Sequence, residues 1–181
     1  MSEKITIEMV RDPKCSPEIL HQVLKNTIKY ATYDMEYYNY SVRCYAANNS
    51  NCFSETLKMV LERDENDLIS CYAAKNPNCP AELLKMVLER GKNDLVSYWA
   101  AQNSNYPKEL LVKILERNKN DLVSLSASKN RNCPPQVRIK WLIATGQIKM
   151  PDLSKHDVQV IKDYNKPDEE WEQFKRMVED E

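Results

Sequence analysis

Across residues 79–105 the apolar positions fall into two clusters, each with helical spacing. Leu83, Leu84, Val87 and Leu88 form one face of a helix that Gly91 and Lys92 interrupt. A shorter cluster, Leu95, Val96, Tyr98, Trp99, Ala100 and Ala101, follows Asn93-Asp94, either of which caps a helix N-terminus. The spacing predicts a second, short and mostly buried helix. Sliding the chain against itself reproduces this pair at a period of 27 residues. Leu57, Leu84 and Leu111 recur at that step, as do Val42, Ile69, Val96 and Val123. So do the polar positions between them: Asn49, Asn76, Asn103 and Asn130, and, two residues on, Asn51, Asn78, Asn105 and Asn132.

The pattern predicts an all-α fold: a right-handed α-solenoid of about five two-helix repeats, starting near residues 15, 52, 79, 106 and 133. The copy at Cys15 lies 37 residues before the one at Cys52, so ten residues are inserted into the first unit, around Thr27 to Tyr40. Pro80 suits the first helical position, with Glu82 at the third reaching back to the cap amide and Cys79 as the N-cap. Asn103 suits the left-handed residue after a helix, and Asn105 a side-chain-to-backbone turn, so the paired asparagines read as turn and cap residues.

The stretches Val42-Arg43-Cys44-Tyr45-Ala46-Ala47-Asn48-Asn49 and Ala74-Lys75-Asn76-Pro77-Asn78-Cys79-Pro80-Ala81-Glu82-Leu83-Leu84 resemble the leucine-rich repeat variant, a HEAT-like helical repeat family. The likeness covers residues 11 to about 145. It implies a superhelix of α-helices alternating with shorter, partly 3₁₀ helices. The unit is about three residues longer than the family's, which makes room for a longer second helix. The family's Arg survives only as Arg43, with Ser70, Ser97 and Ser124 at the same position elsewhere. A founding member holds an iron–sulfur cluster. Here no two cysteines lie closer than eight residues, which argues against convergent thiolates, so no metal and no cofactor is expected.

Composition adds exclusions. The chain has no apolar run near the roughly 20 residues of a membrane span and no signal-peptide core, and its six cysteines read as reduced thiols, so a cytoplasmic location without membrane contact is expected. His21 and His156 sit in no catalytic motif, and His21 reads as a solvated surface group. With no phosphate loop, zinc spacing or nucleophile elbow, no catalytic residue is assigned, and the chain is expected not to be an enzyme.

What remains are surfaces. Tyr45, Tyr72 and Trp99 share one repeat position, which ends in Ser126. The insertion supplies Tyr30, Tyr33, Tyr37, Tyr38 and Tyr40, half of the chain's ten tyrosines. Arg43, Tyr45, Tyr72 and Trp99, with Tyr33 and Tyr37, are the expected partner-binding face. Residues 151–181 carry ten Asp/Glu against five Lys/Arg, leaving residues 1–150 near +4. They also place Trp171, Phe174 and Val178 at helical spacing after Pro167, an acidic cap or tail behind the 1–150 solenoid. The expected function is a non-enzymatic protein–protein interaction scaffold whose partner is another protein. The alternative is a helical-repeat nucleic-acid binder, which the interleaving of lysines with acids disfavours.

Overall fold

The structure, a computed structural model, describes residues 5–25, 33–149 and 153–162. The described residues are all-α and contain no strand. The chain forms two compact units, Met1–Cys133 and Pro134–Glu181, divided ahead of the fifth copy's first helix. In the first unit α1 (Ile7–Arg11), α3 (Tyr33–Asn48), α5 (Leu68–Lys75), α7 (Leu95–Gln102) and α9 (Leu122–Lys129) alternate with α2 (Pro17–Lys25), α4 (Ser54–Glu62), α6 (Ala81–Glu89) and α8 (Lys108–Leu115). The second unit holds α10 (Pro135–Ala144) and α11 (Lys155–Lys162).

The first helix of each copy is amphipathic in the expected way. Leu57, Leu84 and Leu111 are fully buried, while Lys58–Glu62 and Lys85–Glu89 pair along the exposed side at 3.7 and 3.6 Å. Such exposed pairs contribute only a few tenths of a kcal/mol, roughly 0.3–0.5 each, so burial holds these helices. They stop where the backbone turns left-handed, at Asp64 (φ 58°), Gly91 (φ 69°) and Asn118 (φ 51°), again 27 residues apart. Glycine adopts that conformation freely, and Asn and Asp are the side chains that tolerate it best.

Local expectations are corrected by the cap geometry. Pro80, Pro107 and Pro134 are N-caps, outside the helix, with φ between −65° and −60° and no side-chain cap bond. Glu82 therefore falls at the second helical position, exposed, facing a cap that has no N–H to offer. Cys52, Cys79 and Cys133 are not caps: they precede the cap residue, are buried, and donate their N–H to the carbonyls of Asn49, Asn76 and Asn130 at 2.9–3.0 Å. Asn103 is not left-handed. It and Asn76 are extended C-caps, with φ −63° and −58°, because the left-handed turn is made at the other helix, at Gly91 and its counterparts. The second helices are likewise α-helical, eight residues each in α5, α7 and α9, with no 3₁₀ segment among the described residues.

Those second helices start at Asp67, Asp94 and Asp121, whose Oδ1 accepts the N–H of Ser70, Ser97 and Ser124 at 2.7–2.8 Å. Asp94→Ala is expected to cost about 1 kcal/mol, within the roughly 0.5–2 of a lost N-cap. A urea midpoint unchanged by the substitution would show that the cap is dispensable. Alanines at the centre, Ala46, Ala73 and Ala100 with Ala47, Ala74 and Ala101, are fully buried and let neighbouring second helices approach closely. Contacts between α3 and α5, α5 and α7, and α7 and α9 accordingly exceed those between the first helices α2, α4 and α6.

The joint between copies is made by the asparagines. Asn76 Nδ2 donates to Ala47 O and Asn49 O of the preceding copy at 2.7 and 2.8 Å, and its Oδ1 accepts the Asn78 N–H at 2.8 Å. Asn103 repeats this on Ala74 O and Asn76 O, and Asn130 on Ala101 O and Asn103 O. Two carbonyls on one side and one N–H on the other fix which amide atom is nitrogen. The second asparagines cross the same joint: Asn105 Nδ2 donates to Pro77 O and Cys79 O, Asn132 Nδ2 to Ser104 O, and Asn78 Nδ2 to Ser50 O. Asn49 spans to Val10 O and Asp12 O, so α1 occupies the place of a second helix ahead of the copy at Cys15.

The insertion lengthens a second helix. α3 has 16 residues against eight in α5, and Tyr40 Oη accepts the Leu68 N–H at 3.1 Å. The side chains of Tyr33 and Tyr37, and the whole of Tyr30, lie outside the described residues. In the second unit Ile139 of α10 packs with Ile143, Ile148, Leu153 and Val160. Trp171, Phe174 and Val178 lie outside the described residues.

Candidate functional site

One face of the second helices carries a row of leucines open to solvent. On an α-helix, positions i, i+4 and i+7 share a face, and in α5 these are Leu68, Tyr72 and Lys75; in α7, Leu95, Trp99 and Gln102; in α9, Leu122, Ser126 and Lys129. Leu68, Leu95 and Leu122 are 51%, 50% and 41% exposed, large apolar side chains left in water at one repeat position. α7 is short and mostly buried, as its spacing predicts, and Leu95 is its one exposed residue: Val96 and Ala100 take the core side, and Leu95 stands a step round the helix from them.

One turn along lies the aromatic row. Tyr45 is exposed, Tyr72 and Trp99 are half-buried, and Ser126 is fully buried, its hydroxyl donating to Tyr98 O at 2.6 Å. A cation from the preceding copy rests on two of the rings: the Arg11 guanidinium lies 5.0 Å from the Tyr45 centroid and Lys75 Nζ 4.7 Å from that of Trp99. Such contacts are worth about 0.5–1 kcal/mol at exposed sites, and they hold cation and ring on the same face. Tyr98 meets the Trp99 ring edge-on at 5.2 Å. Beside Tyr45 a shallow recess of about 300 Å³ is lined by Arg11, Asn48 and Ser50 with Val10 and Pro13.

Arg43 is not part of this stripe. Two residues from Tyr45, it points round α3 toward Arg63, Asp67 and Glu65, half-buried, with its Nε enclosed and unpartnered. Burial first, then the Arg63 charge, depress its pKa. Tyr45, Tyr72 and Trp99 thus occupy one repeat position on the consecutively packed α3, α5 and α7, Arg43 lies off that position, and the leucine row and the cations Arg11 and Lys75 stand beside it.

The remaining chemistry is muted. All six cysteines are buried and none is in a disulfide. Burial pushes the Cys52 and Cys79 thiols up to about 12 and, with Asp67 adding to it, those of Cys44 and Cys71 up to about 11. Such thiols stay protonated and unreactive at neutral pH. Among the described residues no three His, Cys, Asp or Glu side chains are grouped as a metal ion needs. His21 is not a solvated surface group: its Nδ1 lies 2.7 Å from the hydroxyl of fully buried Thr56 in the next copy. No helix among the described residues is long and apolar enough to cross a membrane.

No protein-family model, no curated protein and no solved structure matches the chain.

Proposed function

We propose that the chain is a non-enzymatic interaction scaffold, an α-solenoid of about five repeats of the leucine-rich repeat variant or HEAT-like kind, that binds a protein partner on the face of its second helices. The observation that carries this is the row Leu68, Leu95 and Leu122, each about half exposed in register on helices that pack side by side. Single exposed leucines are ordinary on any surface. A ladder of three beside two half-buried rings forms a contiguous apolar stripe, and such stripes mark interaction sites. The asparagine joints hold the row at fixed spacing, so little ordering entropy is lost on binding. The reading places the protein in the cytoplasm, with its buried thiols reduced.

The test is capture from native lysate by the wild type and by Leu95→Asp, with and without nuclease. Leu95 is half exposed and aspartate is favourable in the first turn of a helix, so the variant should fold with a stability within about 1 kcal/mol of the wild type. Capture should survive nuclease and be lost in the variant. Loss on nuclease treatment would favour the nucleic-acid reading, and capture indifferent to Leu95→Asp would remove the face from consideration.

A further inference from the structure

We propose that this face takes its partner as an extended, acidic segment in polyproline II conformation, read at one residue in three. The inference rests on the scaffold reading and specifies the chemistry of its partner. α1, α3, α5, α7 and α9 pack consecutively, side by side. Packed helices lie about 8–10 Å apart. A polyproline II chain rises about 3.1 Å per residue with three residues per turn, so each turn of about 9.3 Å meets one helix and presents the same side to each. Apolar or proline residues at every third position would then meet the ladder of Leu68, Leu95 and Leu122 with the rings of Tyr72 and Trp99, the mode in which proline-rich segments dock on aromatic-lined grooves.

The C-terminal end of the stripe specifies the rest. One repeat position there reads Arg11, Asn48, Lys75, Gln102 and Lys129, a cation alternating with an amide from helix to helix. A carboxamide both donates and accepts, which is what an extended backbone requires: its N–H and C=O groups make no internal hydrogen bonds, whereas those of a helical partner are already paired. Arg11 and Lys75, held over the Tyr45 and Trp99 rings, face outward with Lys129 at every second helix, which calls for an acidic residue about every sixth position of the ligand. At the other end of the stripe Asp67, Asp94 and Asp121 cap their own helices through Oδ1, and Asp67 and Asp121 pair with Arg63 and Arg117 at 3.4 and 3.8 Å, so the acids of a ligand align with the cation row and not with this end.

Panning a random linear peptide library on the full-length protein, with Lys75→Glu and Leu95→Asp in parallel, tests this. Selected peptides should share apolar or proline residues at spacing three with interspersed Asp or Glu, and a peptide so chosen should lose about tenfold or more in affinity on either variant, the loss of one interface anchor. Helical spacing of the anchors, a basic consensus, no enrichment over the two variants, or tighter binding of a single-stranded oligonucleotide would each overturn it. If peptides fail while capture from lysate still depends on Leu95, the binding mode is wrong and the scaffold stands. If capture ignores Leu95 as well, the scaffold face itself is wrong.

Discussion

Asn103→Ala destabilises the first unit by about 2–4 kcal/mol, whereas Asn105→Ala, two residues on, costs about 1 kcal/mol or less. The first substitution removes the donor to Ala74 O and Asn76 O at 2.8 and 2.9 Å and the acceptor of the Asn105 N–H at 2.9 Å, all at a joint where Asn103 is 5% exposed. A buried polar group left without a partner costs roughly 1–3 kcal/mol. Asn76 O keeps the Cys79 N–H, so two groups are orphaned, not three. Asn105 is exposed, and water replaces its bonds to Pro77 O and Cys79 O. Urea unfolding of the two variants gives the comparison directly, and equal losses would reduce the buried asparagine to a local turn residue.

That distinction explains what the sequence could and could not tell. The period, the helix pairs and the stop at Gly91 were legible because each rests on local chemistry. The asparagine joint was not, because a local turn and a bond to the preceding copy both require the residue at the same place in each repeat. A signal was present all the same. At the start of the stack the position holds Asp12, whose Oδ1 accepts the Lys14 N–H at 2.8 Å just as Asn49 Oδ1 accepts that of Asn51. Aspartate suffices for the turn; only a copy with carbonyls ahead of it needs the amide's two donors.

The candidate face was half legible for a related reason. Aromatic size drew attention to Tyr45, Tyr72 and Trp99, but leucine reads as core by default, and Leu68, Leu95 and Leu122 follow a cap within a short apolar helix. The angular argument separates them. Val96 and Ala100, four residues apart, define the buried side, and Leu95 and Trp99 form a second pair about 100° away. Arg43 misled because it stands where other copies have a buried serine; in the longer α3 its side chain runs toward the α4–α5 loop, away from the rings.

Leu84→Ala and Leu95→Ala therefore separate folding from binding with a single kind of substitution. Leu84 is fully buried, and its truncation leaves a cavity in the stack, with an expected loss of about 2–5 kcal/mol. Leu95, half exposed, returns less apolar area to water and leaves no enclosed void, so its truncation is expected to cost about 1 kcal/mol or less. Partner capture should show the reverse order when measured at a temperature where both variants are folded: weakened by Leu95→Ala, retained by Leu84→Ala. The two sites lie on consecutive helices of one copy, so a general loosening of that copy would lower both readouts together. Losses of similar size in stability would mean that Leu95 is core after all, and the interaction surface would then have to be sought among the first helices.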